Sequence, residues 1–294
     1  MASYDAARGC YVVRVVYDGP GLAGKTTNLR EVCNFVSAKR RSEMYTPAEL
    51  KGRTMFFDWL EVDGPPQGQA KIKFQLITVP GQAQRNYRRR PLVEMADVVV
   101  FVCDCTQAQM PDTQRTFARL RASMKRRKTP VPVVIQANKQ DTPDALEPDR
   151  LRRRLRLDSE VPVLGAAAVE GRGVRETLVT AMRLGILALR DGEIGPLAAT
   201  FANADALFDH VLTFEDHPKD DEPIDAEELN IANRELDLPA HELAAHLSAS
   251  SFDALEARAR RAAGNNGAEA ATKEEPAAEV AARRGRRDRE RRRG

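Results

Sequence analysis

The chain has 294 residues, of which 42% are hydrophobic, 5% aromatic and 30% charged, enough apolar content for one core plus an extension. No run approaches the ~18 apolar residues of a membrane-spanning helix, and the ends, Met1-Ala2-Ser3-Tyr4-Asp5 and Arg291-Arg292-Arg293-Gly294, match neither a secretory leader nor a prenylation box, so a cytoplasmic location is expected. The net charge of +3 divides into +11 over residues 1–192, −11 over 193–263 and +3 over 264–294; with arginine outnumbering lysine 36 to 10, the basic first part makes no specific case for nucleic acid.

The first predicted strand, 11–17, is the β-branched run Tyr11-Val12-Val13-Arg14-Val15-Val16-Tyr17. It runs into Gly19-Pro20-Gly21-Leu22-Ala23-Gly24-Lys25-Thr26, a complete G-x-x-x-x-G-K-[ST] loop, and a helix predicted over 25–38 that includes Thr27. Glycines let such a loop wrap its N–H groups around a phosphate, and the helix N-terminus adds partial positive charge. Lys25 would reach the β- and γ-phosphates, and the Thr26 hydroxyl would ligate Mg²⁺.

Strands predicted at 54–62 and 70–79 flank Asp63-Gly64-Pro65-Pro66-Gln67-Gly68, a turn-rich link that predicts an antiparallel hairpin. A helix is expected over 84–95. Within the strand at 97–104, the run Val98 to Cys103 lacks alternation, as a strand buried on both faces should. Further strands are expected at 131–137 and 161–167, and helices at 112–128, 145–157 and 173–190. This alternation predicts an α/β domain with a mostly parallel six-stranded sheet and helices on both faces. Cys10, Cys33, Cys103 and Cys105 read as reduced, buried thiols. The clusters Arg88-Arg89-Arg90, Lys125 to Lys128 and Arg152-Arg153-Arg154 read as solvated helix faces.

The strand at 131–137 ends in Asn138-Lys139-Gln140-Asp141. A carboxylate at Asp141 can accept from both N1–H and the 2-amino group of guanine, a pairing adenine cannot offer. Lys139 would lay its stem on the base and ribose, and Asn138 would tie this loop to the phosphate loop. The two motifs together point to GTP/GDP rather than ATP.

From about Asp191 the composition changes. Residues 193–263 are acidic and are expected to form a partly helical extension, with a solvated stretch from Glu215 to Glu228. Residues 264–294 are Ala/Glu/Arg-rich and cannot bury enough surface to offset ordering entropy, so they are expected to be disordered. His210, His217, His241 and His246 fit no common zinc spacing. The opposite charges of the first two parts lead to the expectation that the acidic segment docks on a basic face near Arg88 or Arg152. The eight arginines from Arg283 to Arg293 read as a solvated tail or a contact for anionic lipid.

Three stretches carry a family resemblance: the run Tyr17 to Leu29, then Arg53-Thr54-Met55-Phe56-Phe57-Asp58, then Thr78-Val79-Pro80-Gly81-Gln82. In that order, within about residues 10–190, they resemble the small Ras-like GTPases of the P-loop NTPase fold, and among them the bacterial MglA-like type. The resemblance implies that Thr54 joins Thr26 at Mg²⁺ and meets the γ-phosphate with its N–H. It also implies that the Gly81 N–H meets the γ-phosphate, that Gln82 orients the attacking water, and that Arg53 acts as an arginine finger in cis. Asn138, Lys139, Asp141 and the Ala167-Ala168 backbone would surround the guanine, with the Ala168 N–H on the base oxygen. Switch segments would span about 39–54 and 79–92. Hydrolysis would be slow without an MglB-like, roadblock-type activating protein, unknown effectors would read the GTP state, and the setting would be cell polarity or motility. A GTP-binding interaction module with little hydrolysis is the alternative. Most Ras-like proteins carry aspartate where this chain has Thr78; Asp58 is a candidate substitute for it or a plain strand-face carboxylate.

Overall fold

The computed structural model describes residues 3–47, 49–50, 53–54, 57–65, 71–81, 86–127, 129–190 and 203–213. In chain order the strands are β1 (Ser3–Asp5), β2 (Cys10–Asp18), β3 (Glu49–Leu50), β4 (Arg53–Thr54), β5 (Trp59–Asp63), β6 (Lys71–Thr78), β7 (Val98–Asp104), β8 (Val133–Asn138) and β9 (Val163–Gly165). The helices are α1 (Lys25–Phe35), α2 (Asn86–Glu94), α3 (Met110–Lys125), α4 (Pro148–Arg154), α5 (Val174–Arg190) and α6 (Ala204–Thr213).

The main sheet runs β5-β6-β2-β7-β8-β9, with β1 added to β2. β2, β6, β7, β8 and β9 are parallel, while β5 pairs antiparallel with β6, as the Gly/Pro-rich link predicted. The sheet has seven strands rather than six because β1 pairs antiparallel with Cys10–Val12, while β7 joins β2 only from Val15. Three residues are too short to show a periodicity, so this strand was not legible. The expected strand 54–62 also divides: β4 pairs with β3 in a separate two-stranded ribbon, and β5 begins at Trp59.

Side chains of β2 alternate between two apolar cores, as the period of a strand requires. Val13, Val15 and Tyr17 join Leu29 and Val32 of α1 and Val174, Leu178 and Leu184 of α5 on one face. Val16 joins Leu92 and Val93 of α2, Phe117 and Leu120 of α3 and Leu151 of α4 on the other. Every residue of β7 and β8 is buried, so all functional loops leave a rigid platform at the C-terminal ends of the parallel strands, where ligands of open α/β sheets bind. α4 starts at Pro148, since proline suits the first helical position and biases its predecessor to extended backbone. Cys10, Cys103 and Cys105 are buried free thiols; burial pushes Cys105 up to about 12.

Beyond the sheet, the extension contributes α6, whose Ala204, Leu207 and Val211 are buried in the core beside α2. The expectations placed on the boundary near 192, on Glu215 to Glu228 and on the tail from 264 concern residues outside the described ones.

Candidate functional site

The loop joining β2 to α1 is shaped by its glycines. Gly24 has φ +103°, and a Cβ there would lie 2.3 Å from Asn138 Nδ2. Gly81, arriving from β6, presses on the same loop: a Cβ on it would lie 2.6 Å from Gly21 N, Lys25 Nζ and Pro20 O. Lys25 is 7% exposed and donates to the carbonyls of Gly19 (2.9 Å) and Pro20 (2.6 Å). Its burial pulls the ammonium down to about 8; Asp18 opposes the shift and Arg89 adds to it. Among the described residues no side chain caps α1, so its first-turn amides face an anion-binding position without a competing oxygen. Leu22, at φ +61° and 66% exposed, forms the crest of the loop.

Asp58 is fully buried, just before β5 and opposite the end of β6. Its Oδ2 accepts from the hydroxyls of Thr26 (2.6 Å) and Thr78 (2.7 Å), and its Oδ1 from Thr46 (3.0 Å). The Asp58 N–H in turn donates to Thr78 Oγ1 at 2.8 Å. The carboxylate missing at position 78 thus stands one strand away, touching the hydroxyl that closes the phosphate loop. Of the two readings of Asp58, the plain strand-face carboxylate gives way to a partner of Thr26.

The second half of the site is a latch. Asn138 Nδ2 donates to the Ala23 carbonyl at 2.7 Å, and its Oδ1 accepts the Ala168 N–H at 2.9 Å. Asn138 therefore joins the phosphate loop to the Ala166–Ala168 stretch, as expected. The Ala168 N–H, expected at the base oxygen, here donates to Asn138. With alanine at 167 no hydroxyl is offered there to the asparagine oxygen. Lys139 follows at φ +71°, a left-handed conformation held by the Gln140 N–H bond to Ala166 O at 2.9 Å. Asp141 is exposed at the end of this loop. Beneath it, Asn28 of α1 and Gln136 of β8 exchange amide hydrogen bonds at 2.8 Å, and Gln136 also donates to Thr177 of α5 at 3.0 Å. Buried amides of this kind are worth most when fully satisfied.

Arg89 went unrecognised in the sequence. The run 88–90 reads as a solvated face, yet Arg89 is 6% exposed and reaches from α2 to grip fully buried Asp18 through Nε (2.8 Å) and a terminal nitrogen (2.5 Å). Asp18 Oδ1 also accepts the Gly19 N–H at 2.8 Å. The other basic clusters are corrected in part as well. Arg127 donates to the Val93 and Glu94 carbonyls, and Arg152 to those of Asp158 and Val161. Carbonyls left open at helix ends and in loops need such donors, which a sequence pattern does not display. Arg53 and Thr54 pair by backbone with Leu50 and Glu49; the roles expected of their side chains, and of Gln82, lie outside the described residues.

Phosphate loop, Asn-Lys-x-Asp latch and mostly parallel sheet with helices on both faces together define a small nucleotide-dependent switch protein. Residues 12–183 match the ADP-ribosylation factor family, and the chain belongs to that family of small GTPases. It is 33% identical over 182 residues to the mutual gliding-motility protein MglA of Myxococcus xanthus, covering 61% of this chain and 93% of the relative. It is 29% identical over 171 residues to human ADP-ribosylation factor-like protein 4D, covering 56% of this chain and 79% of that one. Among solved structures it is similar to the Arl6 BBS3 small GTPase of Trypanosoma brucei with a bound GppNp analogue, at TM-score 0.44 and 18% identity over 60% of this chain and 98% of that one. The protein binds GTP and GDP and is a GTP-hydrolysing enzyme.

Proposed function

We propose that this GTPase is an MglA-type switch acting in bacterial cell polarity or motility. The similarity to MglA supports the setting. The observation that carries the switch mechanism is the sharing of Asp58: the phosphate loop, the 39–47 segment and β6 each send a hydroxyl to one buried carboxylate. Elements that must respond together to a γ-phosphate are thereby joined at one point.

Thr26 and Thr54 would hold Mg²⁺, with Asp58 ordering the groups around them; an oxygen-only donor set with a carboxylate fits that ion. Bound there, it would neutralise charge on the β- and γ-phosphate oxygens. During hydrolysis water attacks the γ-phosphorus and the bond to the GDP oxygen breaks. Gln82 would orient that water, while Arg53, Lys25 and the Gly81 N–H would carry developing charge. The loop residues Gly19, Gly21, Leu22, Ala23 and Gly24, with Thr27, would surround the phosphates. Asp141 would read the guanine edge, with Lys139 stacked on the base and Ala167 and Ala168 beside it. An MglB-like activating protein is the partner this reading calls for, and the chain alone would turn over slowly. The arginine-rich tail would add a weak contact with anionic lipid.

Chromatography of nucleotide released from freshly purified, denatured protein checks the base: guanine nucleotide is expected, and adenine nucleotide alone would overturn the assignment. Single-turnover GTP hydrolysis with and without the activator checks the roles. Gln82→Ala and Arg53→Ala are each expected to remove at least about a hundredfold of the accelerated rate; unchanged rates would remove both from the mechanism.

A further inference from the structure

α6 lies beyond the residues matched to the family, 12–183, and it lands on the part of the molecule that the proposed switch would move. Its sequence repeats apolar residues at helical spacing: Ala204, Leu207 and Val211 are buried, and Ala206 and Phe208 are half-buried against the same core. Asp205 and Asp209 stay exposed, and Asn203 caps the helix by accepting the Ala206 N–H at 2.9 Å. The buried stripe packs beside α2, in one cluster with its Leu92 and Val93.

The other wall is Tyr45. Its backbone exchanges hydrogen bonds with Trp59 at 2.8 and 2.9 Å, its ring centroid lies 6.4 Å from that of Phe57, and its phenol is beside the Asp205 carboxylate. Burial and the nearby Asp205 carboxylate both push the Tyr45 phenol up. One short helix therefore spans the 39–47 segment and α2. A helix of ten residues is marginal by itself in water and holds its shape because it is docked. It is bound through apolar side chains, with the Asp205 carboxylate beside the Tyr45 phenol.

We propose that the groove between Tyr45 and α2 is a helix-binding surface that the chain fills with its own α6, and that the partner it accepts in trans is an amphipathic helix. That partner would present apolar residues at i, i+3, i+4 and i+7 and a carboxylate in its first turn facing Tyr45. α6 is then a competitor in cis, favoured by the high effective concentration of a tethered segment, and a partner must displace it. The surface itself needs no nucleotide; its coupling to GTP rests on the function proposed above.

A fluorescent peptide of sequence Asn203–Thr213, titrated into the full-length chain by anisotropy, tests this. The intact chain should bind it weakly, because its own helix occupies the groove. Leu207→Glu in the full-length chain should free the groove and tighten peptide binding at least tenfold, and adding Tyr45→Phe should reverse part of that gain. A peptide carrying Leu207→Glu should not bind. Thermal melting accompanies each titration. If Leu207→Glu does not fold, Asp205→Ala, at an exposed position, decides instead, with a severalfold gain expected. A folded Leu207→Glu chain, or failing that an Asp205→Ala chain, that binds no better than the intact one would overturn the proposal, making α6 a fixed part of the core. The readout holds whichever nucleotide the sample contains, so it stands apart from the base assignment.

Discussion

The two halves of the site are built from different interactions. On the guanine side, Asn138, Asn28, Gln136 and Thr177 are neutral, almost wholly buried, and bonded to one another or to backbone carbonyls. On the switch side, Asp18, Arg89, Lys25 and Asp58 are charged; Arg89 and Asp58 find partners on other elements, while Lys25 donates within its own loop. Neutral directional bonds fix position and ignore pH. Charged contacts can be rearranged, because a phosphate competes for the cations and hydroxyls they use. One half is therefore suited to holding a ligand and the other to answering it.

The largest effect should come from the charged half. Arg89→Gln leaves Asp18 buried without its guanidinium, and loss of one partner from a buried pair costs about 3–5 kcal/mol. A fall in thermal stability of that order is expected, with recovery of most of it in Asp18→Asn/Arg89→Gln, which removes both charges. An unchanged melting temperature in Arg89→Gln would show that α2 is not fastened through this pair. Next is the neutral half. Asn138→Ala strands the Ala168 N–H and the Ala23 carbonyl, at about 2–3 kcal/mol, and should weaken guanine-nucleotide affinity without altering its pH dependence. A pH-dependent loss would blur the contrast between the halves.

Of the neutral half, Asn138 was legible in the sequence, because a strand ending in Asn138-Lys139-Gln140-Asp141 places its asparagine opposite a loop whose spacing is also fixed; the buried amides of Asn28 and Gln136 meet across 108 residues and were not. The strands and the one antiparallel hairpin followed from the short β-branched runs, apart from β1 and the break before β5. The charged half was much less so. Asp58 meets Thr78, and with it Thr26, only because β5 and β6 pair in the register Trp59↔Ile77. Arg89 looked like its two neighbours until the turn of α2 aimed it inward. Tyr45 and α6 meet across more than 150 residues, and no local period announces such a contact.

Lys25 sharpens the comparison through pH. Its folded value of about 8, against an ordinary 10.5, means that the ligand-free protein binds fewer protons than the unfolded chain between those limits. Stability of the ligand-free form therefore gains from this group as pH rises through that window. A phosphate favours the charged ammonium and reverses the sign: nucleotide binding takes up a proton, so affinity should fall about fivefold between pH 8 and 9. Titration with a fluorescent GDP across pH 7–9.5 measures it, and Lys25→Met should bind weakly with a flat profile. A flat profile in the unmodified protein would remove the coupling.

The smallest effect separates the static and responsive contacts of a single carboxylate. Asp58 Oδ2 is held by Thr26 and Thr78, which sit on α1 and β6, whereas Thr46 on Oδ1 belongs to the 39–47 segment. Thr46→Val removes that hydroxyl at constant shape, at about 1 kcal/mol or less, because one neutral donor to a carboxylate is lost where water can reach. Thermal stability should barely move. Nucleotide release should accelerate severalfold, since the 39–47 segment loses its bond to the corner that holds Thr26, and Thr46→Ser should restore the original rate. Equal release rates in all three proteins would mean that Asp58 gathers its hydroxyls for packing alone, and that the responsive half of the site begins further out, at Tyr45 and α2.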